Sequence, residues 1–354
     1  MNAIVCVIVV SIVALSSNGF LFNDKEDIIL VPSVAFRDHS PTGQSSGWIL
    51  HNQGWYYEDN PVQATIMTKA LSIGIKNVDK ERIRLFTASG EDDKKLCVEG
   101  LNRAMCTKTD DEGRIKNTFQ MTKEEVQSFI QPGGNGGKVT YTVSTPNKKL
   151  QAKGEIYLCD DNGISFISDI DDTIKVTGVT STAAVLANTF AGEYKSIEKM
   201  ADAYRYWEKR YNATFSYLTA SPDQLYPFLR EFLDRENFPS GSAHMRHFTW
   251  FDVNFIQFFM SANYIKSKTD TLNMFMKNTK NRQFVLIGDI FQKDPDIYAD
   301  VYNAYSDRIL KIFIRKEQND DRGIERLEEV FKNVPREKWT AFENGDDLPK
   351  DIFV

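Results

Sequence analysis

The chain lacks what zinc binding, nucleic-acid binding or repeated membrane crossing would need. Four cysteines occur in 354 residues, with no CxxC pair and no histidine-rich tract, so the spacings of a zinc site are missing. Basic charge is not in excess. Lys and Arg number 43 against 49 Asp and Glu, and the net charge of −6 argues against nucleic acid as the main partner. Beyond the first residues, no apolar run approaches the roughly 20 residues that a membrane span takes. No internal repeat or low-complexity tract is present. With 42% apolar and 26% charged residues, no large disordered share is indicated.

The N-terminus is the one long apolar stretch. Ala3 to Leu15 is apolar apart from Ser11, and Ser16-Ser17-Asn18-Gly19 follows. A short apolar core before small polar residues reads as a secretory signal over residues 1–19, so a secreted or lumenal protein is expected. No basic residue precedes the run, and only the amino terminus supplies positive charge there; an uncleaved anchor or a buried strand is the competing reading. Setting Cys6 aside leaves Cys97, Cys106 and Cys159, an odd number with at least one unpaired thiol. Cys97 and Cys106 are close enough to close a loop, but spacing does not decide it. Asn212-Ala213-Thr214 is the single glycosylation sequon.

Two textures divide the remainder. Over residues 24–160 short apolar runs (Ile28 to Val31, Trp48 to Leu50, Arg82 to Phe86) alternate with Gly, Asn, Asp and Pro clusters, and Val139, Tyr141 and Val143 alternate with polar residues. That pattern predicts an all-β, sandwich-like domain. Over residues 161–354 strands alternate with helices, which predicts an α/β domain with a parallel sheet. Strands are expected at Ile164–Ser168, Phe215–Thr219, Phe284–Ile287 and Ile309–Ile314. Ile197, Met200, Tyr204, Trp207 and Tyr211 recur at helical spacing. Ser221-Pro222-Asp223-Gln224 reads as a helix start, capped by Ser221.

Chemistry concentrates at the ends of those strands, where open parallel sheets bind ligands. The first strand runs into Ser168-Asp169-Ile170-Asp171-Asp172-Thr173. Side chains alternate along a strand, so Asp169 and Asp171 leave on one side, and two carboxylates held so close call for a cation. Magnesium takes oxygen ligands and also binds phosphate oxygens. The second strand ends in Thr219-Ala220-Ser221, with hydroxyls suited to phosphate. The third ends in Gly288-Asp289, with Asp294 five residues on, and Lys268 precedes it.

This order of motifs resembles the haloacid dehalogenase superfamily. Ser168 to Thr177, Ala220 to Pro227, Phe238-Pro239-Ser240-Gly241-Ser242 and Leu286-Ile287-Gly288-Asp289 resemble the actin-patch-protein-type phosphatidate phosphatase catalytic domain, from about Ile164 to Lys316. Upstream, the resemblance rests on Gly54-Trp55 and neighbouring aromatics. It implies a doubly wound parallel-sheet domain behind a β-sandwich. It further implies a nucleophile at Asp169 that forms an aspartyl-phosphate, and a general acid and then base at Asp171. Phosphate would be held by Thr219, with Ser221 competing, and by Lys268, with Lys266 competing. Magnesium would be held by Asp169, Asp289 and the Asp171 carbonyl, with Asp294 beside them. Ile290-Phe291 stands where the family carries small residues.

A phosphate monoester is therefore the expected substrate, with phosphatidate cleaved to diacylglycerol implied by the resemblance. A soluble phosphomonoesterase and a non-catalytic lipid- or protein-binding module are the alternatives. Asp171 is expected to have a raised pKa from the like charges of Asp169 and Asp172. A lipid substrate also implies docking on a membrane surface, for which the aromatic segment Phe248–Met260, flanked by His244, Arg246 and His247, is the candidate; core packing is its competing reading.

Overall fold

The structure, a computed structural model, describes residues 25–40, 47–101, 105–131, 136–249, 258, 263–317 and 320–353. The expected signal at 1–19 lies outside the described residues, as do Trp250, Phe251, Phe255 and Phe259.

Ten strands of the first half form one hydrogen-bonded sheet: β1 (Glu26–Val31), β2 (Ser33–Arg37), β3 (Trp48–Glu58), β4 (Ser89–Gly90), β5 (Lys95–Glu99), β6 (Met105–Lys108), β7 (Arg114–Met121), β8 (Ile130–Gln131), β9 (Lys138–Ser144) and β10 (Gln151–Cys159). The long strand β3 pairs β1 along one part and β2 along another, with Pro32, which has no N–H to donate, at the break. Leu50, Ile115 and Phe119 share one apolar interior with Val98, Val139 and Val143. Opposite parts of a single sheet thus close over a common core. The hydrogen bonding of this sheet is continuous through all ten strands. Cys97 and Cys106 sit directly opposite on β5 and β6 and are joined by a disulfide, while Cys159 is free and buried.

This half is not all-β. Helices occupy Pro61–Ser72, Lys80–Thr87 and Lys123–Phe129. The run Arg82 to Phe86, expected as a strand, is helical. Asp79 caps that helix by accepting from the Glu81 and Arg82 amides, and Ile83 and Phe86, three apart, share its buried face.

The second sheet is six-stranded and wholly parallel, in the order β13 (Gly241–Arg246), β12 (Thr214–Pro222), β11 (Ile164–Asp169), β14 (Gln283–Asp289), β15 (Ile309–Arg315), β16 (Trp339–Phe342). Alternate residues of β14 face different cores. Val285 and Ile287 pack with Tyr204 and Trp207 of the helix Met200–Tyr211. Phe284 and Leu286 pack with Leu272 and Phe275 of the helix Asn263–Asn278 and with Tyr298 of the helix Asp294–Ala304. Strand order reverses between β11 and β14, which opens a crevice at their carboxyl ends. The two sheets meet at Pro32, whose carbonyl accepts from the Ala243 amide at 2.9 Å, and the Gln53 side chain donates to the Ala243 carbonyl at 2.7 Å.

Candidate active site

The carboxyl ends of β11, β12 and β14 bring the expected side chains into one buried cluster. Asp169 closes β11, and each of its oxygens has a donor: Lys268 Nζ at 2.7 Å and Thr173 Oγ1 at 2.8 Å. Lys268, 1% exposed on the helix Asn263–Asn278, also reaches Asp294 Oδ1 at 2.5 Å. Lys266, its rival, lies on the surface paired with Asp270. Asp289 ends β14 and Asp294 opens the following helix, the two held together by the turn between them. Gly288 makes this approach feasible. A Cβ there would lie 2.5 Å from Asp294 Oδ2, so a side chain would displace that carboxylate.

One carboxylate oxygen of each of Asp169, Asp289 and Asp294 lies within 4.8 Å of the others. Asp289 Oδ1 accepts from the Phe291 and Gln292 amides, whereas Oδ2 is buried with no partner among the described residues. Of the three buried carboxylates, Asp169 and Asp294 thus share one ammonium, and Asp289 has none in contact among the described residues. Burial comes first in raising Asp169 and Asp289, and the neighbouring carboxylates add to it, against the pull of Lys268. Burial opposes charge on Lys268, but those carboxylates outweigh it and hold the amine protonated. An orphaned carboxylate oxygen within an acidic, oxygen-only donor set fits a divalent metal ion.

Asp171 lies outside this triad. Lys175 Nζ (2.9 Å) and Thr177 Oγ1 (2.7 Å) occupy its Oδ1, while Thr219 Oγ1 (2.6 Å) and Ser221 Oγ (2.8 Å) occupy its Oδ2. The expectation of a raised pKa does not hold. Burial pushes Asp171 up, but Lys175 and the hydroxyl donors outweigh it and hold the carboxyl well below the usual range. The i, i+4 spacing of Asp171 and Lys175 was the available signal for this pair, and the motif reading left Lys175 without a role.

Thr219 and Ser221 both donate to the same oxygen of Asp171. The capping role expected for Ser221 is absent. Strand β12 continues through Pro222, a 3-10 turn spans Asp223–Leu225, and the helix begins at Tyr226. Asp172 turns inward instead of toward the triad, and its carboxylate accepts from the amides of Thr177, Gly178 and Val179. Ile290 is buried in the core and Phe291 packs partly buried against it. His247 lies 2.9 Å from Asp223, and Phe248 and Phe258 are buried in one core. A cavity of about 770 Å³, lined by Tyr141, Glu155 and Arg230 among others, has none of the triad in its walls.

Residues 164–316, which carry all these groups, match the model of the phosphatidate phosphatase APP1 catalytic domain. An uncharacterized protein of Schizosaccharomyces pombe is 34% identical over 48% of this chain and 28% of its own length. Phosphatidate phosphatase APP1 of Saccharomyces cerevisiae is 30% identical over 43% of this chain and 26% of its own. The matched stretch thus spans about a quarter of those relatives. A carbohydrate acetylesterase from Xanthomonas citri aligns at 9% identity over 75% of this chain and 66% of its own, with a TM-score of 0.26, too low to bear on the fold. The segment that builds the acidic cluster, residues 164–316, is thus the part of the chain that is similar to the phosphatidate phosphatase APP1 catalytic domain.

Proposed function

We propose that the chain is a magnesium-dependent phosphatase that hydrolyses phosphatidate through an aspartyl-phosphate. The observation that carries this reading is the buried convergence of Asp169, Asp289, Asp294 and Lys268 within the family-matched span. The relative named as a phosphatidate phosphatase supports the substrate class. On this reading the parallel sheet is a doubly wound, haloacid dehalogenase-like domain over 161–354, preceded by a sandwich-like domain over 24–160. The reversal of strand order at β11 supports that assignment.

Asp169 is the nucleophile. Lys268 and Thr173 fix its two oxygens, so attack needs little reorientation. Asp169, Asp289 and Asp294 would hold the metal together with the Asp171 carbonyl; when bound, the ion offsets the repulsion between an anionic nucleophile and an anionic phosphate. Lys268 places positive charge beside the transferring oxygens. Thr219 and Ser221 turn from Asp171 to phosphate oxygens as the substrate enters. Asp171 starts as a carboxylate. The monoester, whose second ionisation lies at about pH 6, brings the proton that Asp171 passes to the leaving oxygen. Asp171 then takes a proton from the water that opens the aspartyl-phosphate.

Among the described residues no helix is long and apolar enough to cross a membrane. The Cys97–Cys106 disulfide supports a secreted or lumenal location. The test is phosphate release from phosphatidate vesicles and from soluble monoesters, with magnesium and with chelator. Magnesium-dependent release favouring phosphatidate is expected. Preference for soluble monoesters would replace the substrate, and chelator-resistant release would remove the metal.

A further inference from the structure

The helix Lys80–Thr87, outside the family-matched span, is anchored to the α/β domain beside the site. The Asp79 amide donates to the Phe190 carbonyl at 2.8 Å, Val78 bridges Ala191, and Ile83 and Phe86 share a core with Leu186, Phe190, Leu225 and Phe248. This docking buries Arg82 to 6% exposure. Its guanidinium donates to the Thr189 carbonyl at 3.2 Å, lies 3.4 Å from the Asp79 carboxylate and stacks 4.0 Å from the Tyr194 ring centre. The same ring meets the ammonium of Lys175 at 4.9 Å, and that ammonium holds Asp171 at 2.9 Å and donates to Thr177. Arg82 Nε is buried without a hydrogen-bond partner among the described residues, so this costly buried cation leans on the Tyr194 ring face and the Asp79 charge.

We infer that Arg82 is a positioning residue for the candidate site: stacked on Tyr194, it fixes the ring that seats Lys175 against Asp171. The first half of the chain thereby sets the geometry of the carboxylate that handles the proton. The inference rests on the phosphatase reading for its kinetic consequence, but the placement of Lys175 is independent of that reading. A cavity lined by Ile170, Lys175, Tyr194, Ser221, Leu225 and Leu229 lies beside the stack.

The test uses the full chain as Arg82→Leu, Arg82→Lys, Tyr194→Leu and Tyr194→Phe. Two quantities are measured: magnesium-dependent hydrolysis of a soluble aryl phosphate, and acylation of individual lysines followed by mass spectrometry. Arg82→Leu and Tyr194→Leu are expected to lower kcat about tenfold with KM within about twofold, as displacement of a catalytic group does. Arg82→Lys and Tyr194→Phe, which keep cation and ring, should recover most of it. Lys175 should become several-fold more reactive in the two Leu variants, while Lys268 stays protected and shows that the fold is intact. Unchanged kcat with Lys175 as protected as in the parent would overturn the inference. Equal gains at Lys175 and Lys268 would also overturn it, because general loosening would then explain the loss. Should a Leu variant fail to fold, the Lys and Phe variants decide by the same two readouts. A parent without phosphatase activity would sink the proposed function, and the labelling of Lys175 would still decide the stack.

Discussion

Asp169 has both oxygens engaged, by an ammonium and by a hydroxyl. An Asp169→Asn change keeps the shape but puts an amide nitrogen against one of those donors and removes the nucleophile's charge. Turnover should fall below about a hundredth of the parent, the lower end of what a positioned catalytic group contributes. The fold should survive, because the remaining carboxylates still face Lys268 and lose a like-charged neighbour. Rapid-quench phosphate release and a thermal melt check both halves; activity within tenfold of the parent would exclude Asp169 as nucleophile. The types of these side chains were legible in the sequence because carboxylates at strand ends need a cation whatever the fold. The state of Asp171 was not. Its pKa depends on Lys175, Thr177, Thr219 and Ser221 arriving from two strand ends, and sequence shows neighbours in the chain, not in space.

At the scale of elements, β11, β12, β14 and β15 could be read because central parallel strands are buried on both faces and appear as runs dense in apolar residues. The edge strands β13 and β16 carry Ser242 and His244 or span only four residues, so they left no such signal. The loop after β11 has its own support. Asp172 adopts a left-handed backbone (φ 55) and accepts amides of Thr177, Gly178 and Val179 at 2.8, 2.8 and 2.6 Å. Asp172→Ala would leave three amides unpartnered in a conformation that alanine disfavours, and should cost about 2–4 kcal/mol. Asp172→Asn tolerates the backbone and keeps one acceptor, so it should cost less than half of that. Urea denaturation measures both. An Ala variant as stable as the parent would mean that the loop is held from outside, for instance through Arg315, which donates to the Asp172 carbonyl.

For the whole molecule, the question is what keeps the two sheets in register, since Arg82 acts on the site only while they stay docked. Part of the answer is Glu155 on β10. It pairs with Lys138 of its own sheet and, at 2.7 Å, with Arg230 of the helix Tyr226–Arg235 in the α/β half. Burial pushes Glu155 up, but the bonds from Lys138 and Arg230 outweigh it, so its folded pKa lies below the ordinary 4.5. The unfolded chain therefore binds the proton first as pH falls. Stability is fully present above 4.5 and is lost as pH drops below it toward the folded value. Glu155→Gln should cost roughly 1 kcal/mol at neutral pH, as for a half-buried ion pair. The gap between variant and parent should narrow as pH falls below 4.5, because the parent is then losing the same interaction. Urea midpoints measured at neutral pH and again well below that value test this. A gap that stays constant would show that Glu155 acts through packing or Tyr157, which also donates to it, and that charge across the interface contributes nothing.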